Sequence, residues 1–120
     1  MATHEIPREQ WETFLTTFSE RRRGARVTVE VADPQKGPRK EISDKPLVGI
    51  TMDHAGSGAG SITLLLGGEG ADLITHIVTE PKALYHKSAA GIISDEVNHD
   101  EIVEITSAGD PPITQLHFAG

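Results

Sequence analysis

The first part of the chain carries hydrophobic residues at the spacing of a helix. Four large apolar side chains fall at positions i, i+3, i+4 and i+7: Trp11, Phe14, Leu15 and Phe18. This spacing places them on one face of a helix. Pro7 suits the first helical position, where its missing N–H costs nothing, and Gly24 suits the C-terminal cap. The pattern predicts an amphipathic helix over residues 6–23, with its apolar face packed against a sheet.

From residue 26 onward the hydrophobic spacing is typical of strands. Seven segments either alternate or form a short apolar run between turn residues: 26–31, 47–52, 62–66, 73–79, 83–87, 101–106 and 113–118. Turn-forming residues recur about every ten positions, as in an antiparallel meander. Residues 32–44 are predicted as a long turn or loop, with a short strand at 41–43 as an alternative. Residues 88–100 are predicted as a loop, with a short strand at 92–93 as an alternative.

These elements together predict an α+β fold. The helix would pack on a curved, mainly antiparallel sheet or small open barrel of about seven strands. A length of 120 residues is close to the commonest domain size, so we expect a single domain over 1–120, with the helix at 6–23 and the β region at 26–118. An open sheet has an edge strand, and an edge strand can pair with another subunit.

Residues 47–68 form the most distinctive stretch, because two predicted strands flank a glycine-rich tip. Strict alternation in the first strand places three side chains on one face: Val48, Ile50 and Met52. Leu47 would then lie on the opposite face. The second strand, at 62–66, is apolar on both sides, so we expect it to lie inside the sheet.

The glycine-rich tip also raises the question of an anion or catalytic site. Its glycines follow G-x-G-x-G over residues 56–60 and precede a strand, whereas the dinucleotide fingerprint is G-x-G-x-x-G before a helix. A hydrolase triad of Asp53, His54 and Ser57 is disfavoured, because one flexible hairpin does not hold nucleophile, base and acid in order. We interpret the tip as a hairpin turn, and we predict no catalytic residues and no cofactor.

Charge divides the chain into two unequal parts. The net charge is −7. Residues 1–40 carry eight basic and six acidic groups, and residues 41–120 carry three basic and twelve acidic groups. An acidic main part repels phosphate backbones, so nucleic acid is not expected as a partner. The opposite charges could attract each other within one chain or between chains. Arg21, Arg22 and Arg23 could bind phosphates or an acidic partner, or they could simply complement the helix dipole.

Composition also bears on the compartment. The chain has no cysteine, which excludes disulfides, thiol catalysis and cysteine-based zinc sites. The first twelve residues have neither the basic nor the apolar region of a signal peptide. The longest unbroken apolar run, at residues 64–66, is far too short to cross a membrane. The sequence therefore predicts a soluble, cytoplasmic protein with no membrane partner.

Three histidines on predicted strands are the candidate metal ligands: His76, His86 and His117. Imidazoles combined with carboxylates can bind zinc or iron if their strands bring them to one face. No H-x-H or H-E-x-x-H spacing supports this set. The acidic segment at 95–101 lacks the residue order of a calcium-binding loop, so we interpret it as a solvated loop.

Several short motifs together resemble a known family. They are IP-x-x-x-W-x-x-F-L-x-x-F-S at residues 6–19, VTVEV at 27–31, PLVGI at 46–50, LITHIV at 73–78 and the closing LHF at 116–118. In combination they resemble a bacterial family of small proteins catalogued only as a domain of unknown function. The resemblance covers most of the chain. It implies a bacterial, soluble protein, and it transfers no functional residues.

Two functions from different classes remain open at this point. The lack of a coherent catalytic set and the charge division favour a non-catalytic interaction or assembly module that self-associates or binds a protein partner. The alternative is a small metal- or ligand-binding protein, or an enzyme, that uses His76, His86 or His117.

Overall fold

The computed structural model describes residues 2–53, 60–67, 73–88, 101–109 and 111–118. In these ranges it contains eight strands and one α-helix, which is preceded by a 3-10 turn at Arg8–Gln10. In chain order the elements are β1 (Ala2–Glu5), α1 (Trp11–Arg21), β2 (Arg26–Asp33), β3 (Gly37–Asp53), β4 (Ser61–Gly67), β5 (Leu73–Thr79), β6 (Pro81–Ser88), β7 (Glu101–Ser107) and β8 (Ile113–Phe118).

Helix α1 is shorter than the predicted 6–23. Pro7 has an extended ψ of 146°, and the 3-10 turn then leads into the helix at Trp11. At the other end Arg22 has already left the helical region, and Gly24 has a φ of 86°, which suits glycine. The Gly24 N–H donates to the Leu47 carbonyl at 2.8 Å, so the helix end is attached directly to β3.

The strands form one open antiparallel sheet in the order β1-β6-β7-β8-β2-β3-β4-β5. This arrangement confirms a mainly antiparallel α+β fold, with eight strands rather than about seven. The additional strand is β1, which pairs with β6 from Ala2↔Ser88 to Glu5↔Tyr85. Its four residues show no hydrophobic alternation, so the sequence contained no signal for it. As expected, β4 lies inside the sheet, between β3 and β5.

The prediction of a long loop over residues 32–44 was wrong. Strand β2 continues to Asp33, and β3 begins at Gly37, so only a short turn separates them. The Asp33 carboxylate accepts the Gln35 N–H at 2.7 Å, which is a typical Asx turn. Most side chains of this hairpin end are exposed. A strand exposed on both sides needs no hydrophobic alternation, so the charged sequence resembled a loop.

Strand β3 bends so that its two halves pair with different neighbours. Its first half pairs with β2 up to Pro46, and its second half pairs with β4 from Leu47 onward. Two register irregularities with β2 and one with β4 accompany the bend, and Asp44 has a φ of 54°. Bulges and left-handed residues of this kind let a strand turn a corner between two parts of a sheet.

The bulge in β3 also overturns the predicted alternation. Leu47 and Ile50 are both buried, at 1% and 3% exposure, whereas Val48 is 39% exposed. The irregularity between Leu47 and Gly49 adds one residue to the strand, which turns Val48 outward.

A second corner lies between β5 and β6, where one residue, Glu80, joins the two strands. Glu80 has a φ of 50°, in the left-handed region that few non-glycine residues adopt. Its N–H donates to the Gly60 carbonyl at 3.2 Å, and its carbonyl accepts the Ala108 N–H at 3.0 Å. Those two hydrogen bonds hold the corner against β7 and the start of β4.

The hydrophobic core lies between α1 and the inner faces of the two parts of the folded sheet. Its largest members from the helix are Trp11, Leu15 and Phe18, as the helical spacing predicted. The sheet contributes buried residues from every strand except β1: Val27, Val29, Leu47, Ile50, Ile62, Leu64, Leu66, Val78, Leu84, Val103, Ile105, Leu116 and Phe118. The outer side of β3, β4 and β5 lies outside this core.

The left-handed conformation of Glu80 gives a test of the corner. Glu80→Gly removes the contact between Cβ and carbonyl, so we expect the free energy of unfolding to rise by up to about 1 kcal/mol. Glu80→Val adds β-branching at the same φ and should lower it by about 1–2 kcal/mol. Urea unfolding measures both, with Glu80→Ala as the control for loss of the carboxylate. A glycine variant less stable than the valine variant would contradict the assignment.

Candidate functional site

A buried carboxylate at the C-terminal end of α1 is the most concentrated polar cluster among the described residues. Glu101 begins β7 and is only 2% exposed. Arg21 donates to both of its oxygens, at 3.0 and 2.8 Å. Arg22 Nε donates to Oε1 at 2.7 Å, and His86 Nε2 lies 2.6 Å from Oε2. We call these four residues the Glu101 cluster.

Strand alternation explains why Glu101 is buried. Glu101, Val103 and Ile105 all face the core, so the first inward position of β7 carries a charge. A buried charge needs paired, hydrogen-bonding partners. The last turn of α1 supplies Arg21, and Arg22 follows directly, at the helix end where cations are favoured by the dipole. The attraction between the basic N-terminal part and the acidic remainder therefore occurs within one chain.

Aromatic rings enclose the cluster. The ring of His86 makes edge contacts with Phe14 and Phe18, at centroid distances of 5.8 and 6.0 Å. The guanidinium of Arg21 lies 5.0 Å from the Phe18 ring centroid, and that of Arg22 lies 5.4 Å from the Phe118 centroid. These ring contacts hold His86, Arg21 and Arg22 in place, so that all three side chains contact the Glu101 carboxylate.

Burial and hydrogen bonding have opposite effects on the pKa of Glu101, and the combined effect of the hydrogen bonds is larger. Burial alone would raise the pKa of this carboxyl, but the hydrogen bonds from Arg21, His86 and Arg22 lower its pKa from 4.5 to about 2. Glu101 is therefore ionised throughout the neutral range, and it acts as an anchor for the helix end.

A second polar network lies on the outer side of the same strands. Glu104 accepts hydrogen bonds from Lys87 at 3.0 Å and from Gln115 at 2.6 Å. His117 continues the network, with its Nε2 lying 3.1 Å from Gln115 and 3.2 Å from Glu30. Because this row crosses four neighbouring strands, it stabilises the sheet on the side away from α1.

The three candidate metal ligands do not share one face. His86 pairs with Val103 on the inner face, whereas His117 pairs with Ile102 on the outer face. His76 lies on β5, with its Nε2 buried and without a hydrogen-bond partner, and burial lowers its pKa. Across the described ranges, no group of three or more His, Cys, Asp or Glu side chains is placed to hold a metal ion. Metal binding by these histidines remains the untested alternative.

Some sequence predictions fall outside the described residues. They include the glycine-rich tip with His54 and Ser57, the short strand at 92–93 and the acidic segment up to residue 100. Asp53 is described and ends β3.

An apolar surface lies on the outer side of β3, β4 and β5. The exposed large hydrophobic residues of the described chain are Val48 at 39%, Leu73 at 62% and Ile77 at 55%. Leu73 and Ile77 flank Thr75 on the outer side of β5, and Thr75 pairs with Leu65 of β4. Leu65 in turn pairs with Gly49 of β3, next to Val48. The remaining outward side chains of this surface are mainly threonines: Thr51, Thr63 and Thr75. We call this surface the β5 face.

The β5 face combines three properties. It carries exposed hydrophobic residues among threonines, Asp53 at the margin is its only charged residue within the described ranges, and it ends at a sheet edge. Strand β5 pairs only with β4 in the described sheet. On its other side the Thr79 carbonyl accepts a hydrogen bond from the Ser107 hydroxyl, so the part of this edge with no partner strand in the described sheet is residues 73–78. Alternation in β5 was evident from the sequence. The exposed side was not, because both sides of that strand are apolar.

No helix in the described part of the chain has the length and hydrophobicity needed to cross a membrane.

Comparison with known families places the chain in one of them. The sequence pattern of a family of unknown function, DUF5335, matches residues 2–111. The chain belongs to the DUF5335 family. The resemblance drawn from the short motifs is therefore confirmed, and it carries no functional residues.

One curated relative of this DUF5335 chain is an uncharacterized protein of Aquifex aeolicus (strain VF5). The two are 38% identical over 53 residues, which cover 44% of this chain and 48% of the relative. The chain thus spans about half the length of the curated relative that it matches. No solved structure matches the chain.

The Glu101 cluster of this DUF5335 chain predicts a defined acid sensitivity. The folded-state pKa of Glu101 is depressed, so its contribution is present above the ordinary value of 4.5 and is lost as pH falls toward about 2. The loss amounts to about 3 kcal/mol of unfolding free energy. We expect Glu101→Gln to lower stability at pH 7 by about 3 kcal/mol and to flatten this part of the pH profile.

Urea unfolding between pH 2 and pH 7 measures both effects. Glu104→Gln is the matched control, because it lies on the same strand but on the outer face with one lysine partner. Its loss should be smaller, about 1 kcal/mol. Equal losses for the two variants would contradict the role given to Glu101.

Proposed function

We propose that this protein is a non-catalytic assembly module and that a second copy of the chain binds at the β5 face. The observation that carries the proposal is the position of the exposed hydrophobic residues. Leu73, Ile77 and Val48 lie together on one surface rather than scattered around the molecule. Clustered apolar exposure beside polar surroundings is typical of protein interaction sites.

Charge supports a second copy as the occupant. With a net charge of −7, two copies repel each other on average. Contact through the β5 face brings few charges together, because β4 and β5 contain no Asp, Glu, Lys or Arg. Among the described surfaces, the β5 face therefore allows two copies to approach closely with little charge repulsion.

The Glu101 cluster supports a structural role rather than a catalytic one. Its carboxylate is saturated by two arginines and one imidazole, so it is not poised to accept a substrate proton. The lowered pKa favours the ionised, paired form. The clearest acid–imidazole contact in the described chain thus stabilises the fold on which the β5 face depends.

Light scattering after size-exclusion chromatography tests self-association. We expect the wild-type chain to form a dimer and Leu73→Lys/Ile77→Lys to weaken dimerisation by at least about 100-fold, because four apolar side chains per dimer are replaced by charges. Thr16→Lys/Gln35→Lys adds the same charge at exposed positions elsewhere, so it should dimerise like wild type. A wild-type chain that stays monomeric at every attainable concentration would overturn the proposal.

The alternative is a metal- or ligand-binding protein that uses His76, His86 or His117. Two observations favour it: the unpartnered Nε2 of His76 and the contact between His86 and Glu101. Under the assembly proposal we expect no stoichiometric metal in protein purified without a histidine tag. We also expect an unchanged melting temperature with zinc, manganese or nickel. A rise of several degrees that disappears in His76→Ala or His86→Ala would favour the alternative.

A further inference from the structure

We infer that two copies join edge to edge, through antiparallel pairing of β5 with β5 of the second copy and with Thr75 on the two-fold axis. This inference rests on the proposed function, because it assumes that the chain self-associates at the β5 face. Beyond the proposed function, it specifies that the backbone of β5 pairs with the backbone of β5 of the second copy, and in which register. The product is one continuous sheet that crosses the interface.

The two ends of the sheet differ in how well they are protected. Strand β1 has four residues and carries exposed His4 and Glu5, which is a short, polar edge. Strand β5 has seven residues, no proline and no Asp, Glu, Lys or Arg. Its seven pairs with β4 also follow one unbroken register, so no bulge twists the edge away. Natural proteins protect long edges by those devices, and their joint absence from β5 marks a strand that pairs.

Side-chain matching selects the register of the two copies. With Thr75 opposite its own copy, each Leu73 lies opposite Ile77 of the second chain. These two residues are the most exposed large hydrophobics of the described chain, and this register brings them into contact across the interface. Such cross-strand aliphatic pairs and a threonine pair each contribute favourably to sheet stability. Moving the axis to His76 instead places Leu73 opposite Thr79 and Ile77 opposite Thr75, which leaves both hydrophobics without an apolar partner.

The inner side of the strand tolerates the same register. Ile74 then lies opposite His76 of the second copy, and both residues are half-buried in the single chain. Burial lowers the pKa of His76, so its imidazole is neutral at pH 7 and brings no charge to the interface. A two-fold axis perpendicular to the sheet also keeps the outward residues of both copies on one side, which makes the interface self-complementary.

Cysteine cross-linking tests the arrangement cleanly, because the chain has no native cysteine. Residues directly opposite in antiparallel strands have Cα atoms about 4.5–5.5 Å apart, within the range of a disulfide. We expect Thr75→Cys to form a covalent dimer under mild oxidation. Thr63→Cys is the matched control on the same face of β4. Its two copies would be separated by three strand spacings, about 14 Å, across the sheet and would also be displaced along the strands, so they should not cross-link.

A mixed experiment checks the register independently of Thr75. Leu73→Cys and Ile77→Cys should cross-link to each other when mixed, while neither should cross-link efficiently alone. Cross-linking of Thr63→Cys without Thr75→Cys or the mixed pair would indicate face-to-face stacking, which overturns this inference but not self-association. A wild-type monomer by light scattering would overturn both proposals. A monomer whose β5 edge binds a strand of another protein would likewise overturn the second copy as occupant.

Discussion

The fold depends on bending one open antiparallel sheet around the apolar face of a short helix. A flat eight-stranded sheet would leave most of its inner face in water, and an eleven-residue helix cannot cover it. The bend in β3 and the one-residue joint at Glu80 turn the sheet so that its two parts and α1 share a core. Both corners use non-glycine residues at positive φ, so burial of the core compensates for local backbone strain.

The same bend determines which surfaces remain open. The larger part of the sheet receives the helix on its inner side and carries the charged network of Glu104, Lys87 and His117 on its outer side. The smaller part, made by the second half of β3 with β4 and β5, contributes its inner side to the core and leaves its outer side apolar. The bend therefore determines that this side of β5 is exposed, and the sequence of β5 makes its edge uncharged.

The helix and most strands could be predicted from the sequence, because their buried faces impose periods of 3.6 and two. The errors have physical causes. The end of the β2–β3 hairpin is exposed on both sides, so nothing forces alternation there. Val48 faces outward because a bulge inserts a residue, and bulges leave no periodic signal. Strand β1 gains its structure from pairing with β6 rather than from its own four residues.

For the candidate sites, too, strand alternation could be predicted from the sequence, whereas contacts between distant parts of the chain could not. Glu101 lies two residues before Val103 and four before Ile105, so the alternation of β7 already pointed it inward. Its two arginine partners could not be predicted, because they lie at the end of α1, 79 and 80 residues earlier in the chain. For β5 the alternation itself was ambiguous, since Leu73 and Ile77 differ little from Ile74 and Val78 in hydrophobicity. Only the three-dimensional position of the core decides which pair is exposed.

Charge placement connects stability to assembly. The basic end of α1 neutralises the one carboxylate that the sheet buries, and Arg26 pairs with Asp44 at the bend of β3. Described acidic side chains such as Glu41, Asp53 and Glu80 are exposed, and like charges on separate copies repel each other. Under the proposed assembly, the uncharged strands β4 and β5 are the described surface on which two acidic copies would approach with little charge repulsion. The proposed edge pairing places this uncharged surface at the interface, so it avoids much of the repulsion that a net charge of −7 creates between two copies.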